Sequence, residues 1–95
     1  MFVHIFAFRW KPGASPQQQE QAATAIRALQ HQVPGLLSTH VGTSISPRSQ
    51  GYTLTGVMHF PDQAAYASYS DHPAHQALLT WLLPLIEPIE FDFTD

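Results

Sequence analysis

The sequence predicts an α+β domain in which four strands and two helices alternate as β-α-β-β-α-β. Three observations carry that prediction. Stretches rich in aromatic and β-branched residues alternate with period two, and two intervening stretches repeat apolar residues every three or four positions. Proline or glycine stands at most of the junctions. The 95 residues suit one domain, spanning 1–95, with a single core.

Phe2 to Trp10 begins the series. Phe2, His4, Phe6 and Phe8 fall on one face and Val3, Ile5 and Ala7 on the other, so the strand is apolar on both sides and belongs at the centre of the sheet. Lys11-Pro12-Gly13 breaks it. Ser15-Pro16-Gln17-Gln18 then supplies an N-cap serine, a proline at the first helical position and a glutamine at the third, which predicts a helix start. Ala22, Ile26, Leu29 and Val33 form its apolar stripe, opposite Gln17, Gln21 and Arg27. Val33-Pro34-Gly35 ends it, because proline drives its predecessor out of helical geometry. Leu36 to Thr43 alternates Leu37, Thr39 and Val41 against Leu36, Ser38 and His40, the pattern of a half-exposed strand. The polar connection from Ser44 to Gly51 suits a hairpin into a third strand, Tyr52 to Phe60. Pro61-Asp62 opens a second helix carrying Ala65, Tyr66 and Tyr69. Asp71-His72-Pro73 interrupts that helix, and Ala74 to Leu83 resumes it until Pro84. The last strand, Ile89 to Thr94, alternates Ile89, Phe91 and Phe93 with Glu90, Asp92 and Thr94.

A sheet with both helices on one face satisfies this order, which is the ferredoxin-like arrangement. Its other face then carries Val3, Ile5, Ala7, Val57, Ile89, Phe91 and Phe93, too large an apolar patch for a monomer to leave in water. Only 12% of the chain is charged, about half the usual share of roughly 25%. A homodimer through the sheet face, forming a dimeric α+β barrel, is the expected assembly.

Composition also excludes partners. Four basic residues against seven acids give a net charge of −3, with no basic stripe to neutralise phosphates, so neither nucleic acid nor an anionic membrane is expected. The absence of cysteine removes disulfides, thiolate metal sites and a cysteine nucleophile, and fits a reducing, cytoplasmic setting. The apolar N-terminus is broken by His4 and lacks the features of a signal peptide. The longest apolar stretch, Ala77 to Ile86, falls short of the roughly 20 residues a spanning helix needs.

Candidate chemistry concentrates in Tyr69-Ser70-Asp71-His72-Pro73-Ala74-His75. On a continuous helix His72 and His75 would share a face, with Tyr69 extending the row; Pro73 makes this approximate. A His-x-x-His pair is not the zinc spacing of metalloproteases, which is i, i+4 with a glutamate between, and no metal site is expected. His72 is expected to cap the helix break.

Here the sequence resembles the Dabb family, the stress-responsive dimeric α/β-barrel domain. The likeness is carried by Tyr69-x-x-His72-Pro73-x-His75, the opening strand with His4, the Val33-Pro34-Gly35 turn, Gly51-Tyr52 and Phe91-Asp92-Phe93, and it runs over essentially the whole chain. A partial likeness is to the olivetolic acid cyclase branch, which performs an intramolecular aldol condensation without metal or cofactor. That likeness implies Tyr69 and His75 as catalytic residues, Asp92 as the partner of the catalytic histidine and His4 as a pocket residue. Leu54 stands where that branch has a further pocket histidine, and Ala22, Ala23 and Ile26 offer no match to its aromatic first-helix residues, so its substrate is not implied.

The roles are chemically coherent. An imidazole can remove a proton α to a carbonyl, a carboxylate can fix its tautomer, and a phenol can donate to the developing enolate. His75 is then the base, Asp92 its orienter and Tyr69 the oxyanion donor. Phe6, Phe8, Leu54 and Met58 are expected as apolar walls and Gly56 as the space in the pocket floor, for a small apolar carbonyl compound. No cofactor is expected. A binding or structural protein with no open pocket stands as the alternative, in which His75 and Asp92 merely tie helix to strand. A cofactor-free oxygenase is a third reading, with no residue peculiar to it.

Overall fold

The computed structural model describes residues 1–95 as four strands and three α-helices in the ferredoxin-like arrangement. Strand β1 (Phe2–Trp10) is followed by α1 (Pro16–Ala28), which continues as a short 3-10 turn, Leu29–His31. Strands β2 (Ser38–Thr43) and β3 (Leu54–Phe60) form the hairpin. Helices α2 (Gln63–Asp71) and α3 (Pro73–Leu82) precede a 3-10 turn at Leu83–Leu85 and β4 (Ile86–Thr94). The sheet order is β2-β3-β1-β4, with every neighbouring pair antiparallel. As its two apolar faces require, β1 is central.

Local chemistry sets the helix ends. The Ser15 hydroxyl accepts from the Gln18 backbone N–H while the Gln18 side chain accepts from the Ser15 N–H, a complete capping box. The Asp62 carboxylate caps α2 through the Ala65 N–H. His72 ends α2 and caps α3 as expected, its Nδ1 accepting from the Ala74 N–H at 3.0 Å. Pro73 therefore lies at the first turn of a new helix, where its missing N–H costs nothing.

The core lies between the helices and one sheet face. Ala22, Ile26, Leu29 and Val33 are all buried against Phe2, Phe6, Phe8, Met58 and Phe60. The last strand begins at Ile86 rather than Ile89. Pro88 does not break it, because β4 is an edge strand paired only with β1, where a missing N–H can face away from the ladder. The two middle strands start two residues later than the alternation implied, at Ser38 and Leu54. On the face without helices, Phe91 and Phe93 are 57% and 48% exposed in the single subunit. No helix is long and apolar enough to cross a membrane.

Candidate active site

A cavity of about 250 Å³ opens between α2, α3 and the β1 and β4 half of the sheet. Its origin is the composition of β4. Ile86 closes one end of the core, but beyond it, opposite Phe8, Phe6 and His4, the helix-side positions of β4 are Pro88, Glu90 and Asp92, so this part of the edge supplies no large apolar side chain to complete the core. Phe6, Phe8, Ile26, Met58, Leu78 and Leu82 give the cavity an apolar lining. His4, Tyr66, Tyr69, Ser70, His75 and Glu90 supply its polar groups.

Tyr69 and His75 meet across the break between α2 and α3, with ring centroids 4.4 Å apart. The break is what permits this, since His72 ends one helix and starts the next. The Nδ1 of His75 lies 2.9 Å from the Ser70 carbonyl oxygen. A carbonyl only accepts, so Nδ1 carries the proton, and in the neutral ring Nε2 is left with a free lone pair. No protein group bonds that nitrogen or the Tyr69 hydroxyl. Two unpartnered groups, one an acceptor and one a donor, thus lie together on the cavity wall.

His4, only 3% exposed, forms a second constellation. Its Nδ1 is 2.5 Å from the Asp92 carboxylate, and its Nε2 is 3.7 Å from that of Glu90. The β1 and β4 register explains the first contact, because His4 and Asp92 are direct cross-strand partners. The expected pairing of Asp92 with His75 is therefore not formed. Asp92 orients His4, while a main-chain carbonyl orients His75.

Gly56 also differs from expectation. A Cβ added there would fall 2.1 Å from Cζ of Phe6, so the space left by the missing side chain is filled by the Phe6 ring and not by the cavity. Leu54 is buried but does not line the cavity, whereas Phe6 and Met58 do. Tyr66, Ser70 and Glu90 are lining residues not anticipated from sequence. Their signals were present, since Tyr66 lies three residues before Tyr69 and Glu90 shares a strand face with Asp92.

Burial pushes the Tyr69 phenol well above its ordinary range, helped by neighbouring Tyr66 and Glu90. Tyr66 is also raised, first by burial and then by the Asp92 and Glu90 charges, against a weaker opposing hydrogen bond from Ser70. Tyr69 therefore keeps its proton across the neutral range and acts as a donor. A raised native pKa also sets a pH dependence. Below about pH 10 both folded and unfolded states keep the proton, and above it the unfolded chain ionises first. Tyr69 should lower stability by up to about 1.4 kcal/mol per pH unit until the native group also ionises. Denaturant midpoints from pH 9 to 11 should fall less steeply in Tyr69→Phe than in wild type, and equal slopes would contradict this account.

Solved structures share the fold. A crystal structure of an Arabidopsis thaliana protein matches at TM-score 0.90 and 26% identity, covering 100% of this chain and 95% of the other. A dimeric ferredoxin-like protein of unknown function from Thermobifida fusca matches at TM-score 0.87 and 27% identity, covering 99% and 90%. The hydroxynitrile lyase of Passiflora edulis matches at TM-score 0.84 and 21% identity, covering 99% and 94%, a likeness of fold alone. No curated protein sequence matches the chain. The profile of the stress responsive A/B barrel domain, Dabb, matches residues 2–95, and the chain belongs to that family.

Proposed function

We propose that the protein is a homodimer closed through its uncovered sheet face, and that each subunit's cavity performs cofactor-independent acid/base chemistry on a small, largely apolar carbonyl compound. The reaction class is that of a lyase, cyclase or isomerase. The observation that carries the chemistry is the bare Nε2 of His75 beside the unpartnered hydroxyl of Tyr69. Support for the dimer comes from exposed Phe91 and Phe93 and from the dimeric description of the Thermobifida relative.

In this reading His75 Nε2 takes a proton from the carbon next to a carbonyl. The electron pair moves onto the carbonyl oxygen, where the Tyr69 hydroxyl donates a hydrogen bond. The enolate carbon then attacks a second carbonyl, expels a leaving group or is reprotonated at another position, and the proton on His75 returns. His4, held through Nδ1 by Asp92, is the second polar anchor for the substrate. The cavity is smaller than the roughly 300 Å³ at which drug-sized pockets begin, so the substrate is correspondingly small.

The test is deuterium incorporation from D₂O into a panel of uncharged ketones and aldehydes, such as phenylacetone, followed by proton NMR. Protein-dependent exchange that saturates with ketone is the expected result, and exchange at the buffer rate across the panel would contradict it. A second reading, a stress-responsive binding or structural protein without turnover, is favoured by the Phe6 ring filling the space over Gly56. On that reading the Ser70 carbonyl contact of His75 serves only to brace the helix break.

A further inference from the structure

The four cationic side chains of the chain, Arg9, Lys11, Arg27 and Arg48, all lie away from the cavity. Arg9 is held over the Tyr52 ring with its Nε on the Gln50 carbonyl, and Arg27 donates to the Val41 carbonyl. The cavity therefore offers no arginine or lysine to meet an anionic ligand. It has instead a carboxylate in its wall, Glu90, 3.7 Å from His4 Nε2, with Asp92 on the opposite side of the same ring. Glu90 pairs in register with Phe6 and Asp92 with His4, so both carboxylates leave β4 on the helix-covered face. Two carboxylates thus flank one imidazole, and acidic groups outnumber basic ones at this wall.

We propose that Glu90 sets the ligand class of this cavity, admitting an uncharged molecule whose N–H or O–H donates to its carboxylate and turning away a carboxylate of the same shape. The inference rests on the cavity being a ligand site. The field of Glu90 already reaches the wall, since it contributes to the raised pKa of both Tyr66 and Tyr69, disfavouring negative charge at two points. The Glu90 side chain is 58% exposed, so solvent weakens the repulsion, and a discrimination of about tenfold is expected in place of the far larger factor of a dry site.

Benzamide and benzoate are planar isosteres that differ in charge, and the first carries an N–H donor. Titrated into the native protein at pH 7.5 and followed by protein-observed NMR, benzamide should bind about tenfold more tightly. In Glu90→Gln, a near-isosteric change at an exposed edge-strand position, the gap should close to within about threefold. Equal binding of both probes by wild type, or an undiminished gap in Glu90→Gln, overturns the inference and leaves the ligand site standing. Binding of neither probe to the cavity overturns both.

Discussion

His75→Ala is expected to slow deuterium exchange into an uncharged ketone by about 10²–10⁴-fold, the usual contribution of a positioned general base. The variant should keep its fold. His75 is partly exposed, and the Ser70 carbonyl it holds also accepts from the Gln76 side chain at 2.7 Å, so removing the imidazole leaves no orphaned acceptor. The stability loss should stay near 1 kcal/mol, a shift of a few degrees in Tm. Two readouts then separate function from packing. Loss of exchange with a melting transition lowered by no more than a few degrees identifies the base, whereas retained exchange removes His75 from the mechanism.

Gly56→Ala is expected to destabilise the protein by about 1–3 kcal/mol, although alanine ordinarily suits a strand at least as well as glycine. The cause is the Phe6 ring, three of whose atoms would lie within 2.8 Å of the new Cβ. That ring is buried and stacked on Phe8 at a centroid separation of 5.4 Å, so it has little freedom on that side. Its open direction is the cavity it lines. The variant should therefore lose ligand binding as well as stability, because relief of the clash drives Phe6 into the site. Denaturation at fixed protomer concentration gives the first effect, and the dependence on Phe6 can be isolated. In a Phe6→Leu background the same glycine substitution should cost less, and an equal cost in both backgrounds would mean that the ring is not the obstacle.

What could be read in the sequence was what depends on neighbours in the chain. The Ser15 capping box, the His72 cap and the face of β1 are local patterns, and each has the structure its chemistry implies; the stripe from Ala22 to Val33 is buried throughout, but the α-helix stops at Ala28 and a 3-10 turn at Leu29–His31 leaves Val33 beyond the helical residues. The last strand starts at Ile86, three residues before the alternation begins at Ile89, because whether a strand can run through Pro88 depends on whether it is an edge, a property of the whole sheet. The site divides in the same way. Tyr69 and His75 face each other across a break signalled by Asp71-His72-Pro73. The partner of Asp92 depends instead on the register between the first and last strands, which nothing near Asp92 specifies. Gly56 lies opposite Phe6 in the β1 and β3 pairing, so its apparent vacancy could be recognised as filled only once that second register was known.

The central claim is that His75 presents a bare Nε2 to the cavity beside a protonated Tyr69. It can be tested without any substrate, by recording long-range ¹H–¹⁵N correlations of the histidine side chains in uniformly labelled protein above the histidine titration range. The structure predicts that His75 adopts the Nδ1–H tautomer, with Nε2 showing the shift of an unprotonated ring nitrogen. An Nε2–H tautomer at His75 would mean that the Ser70 carbonyl does not hold the ring and that its lone pair does not face the cavity, which would contradict the proposed acid/base site.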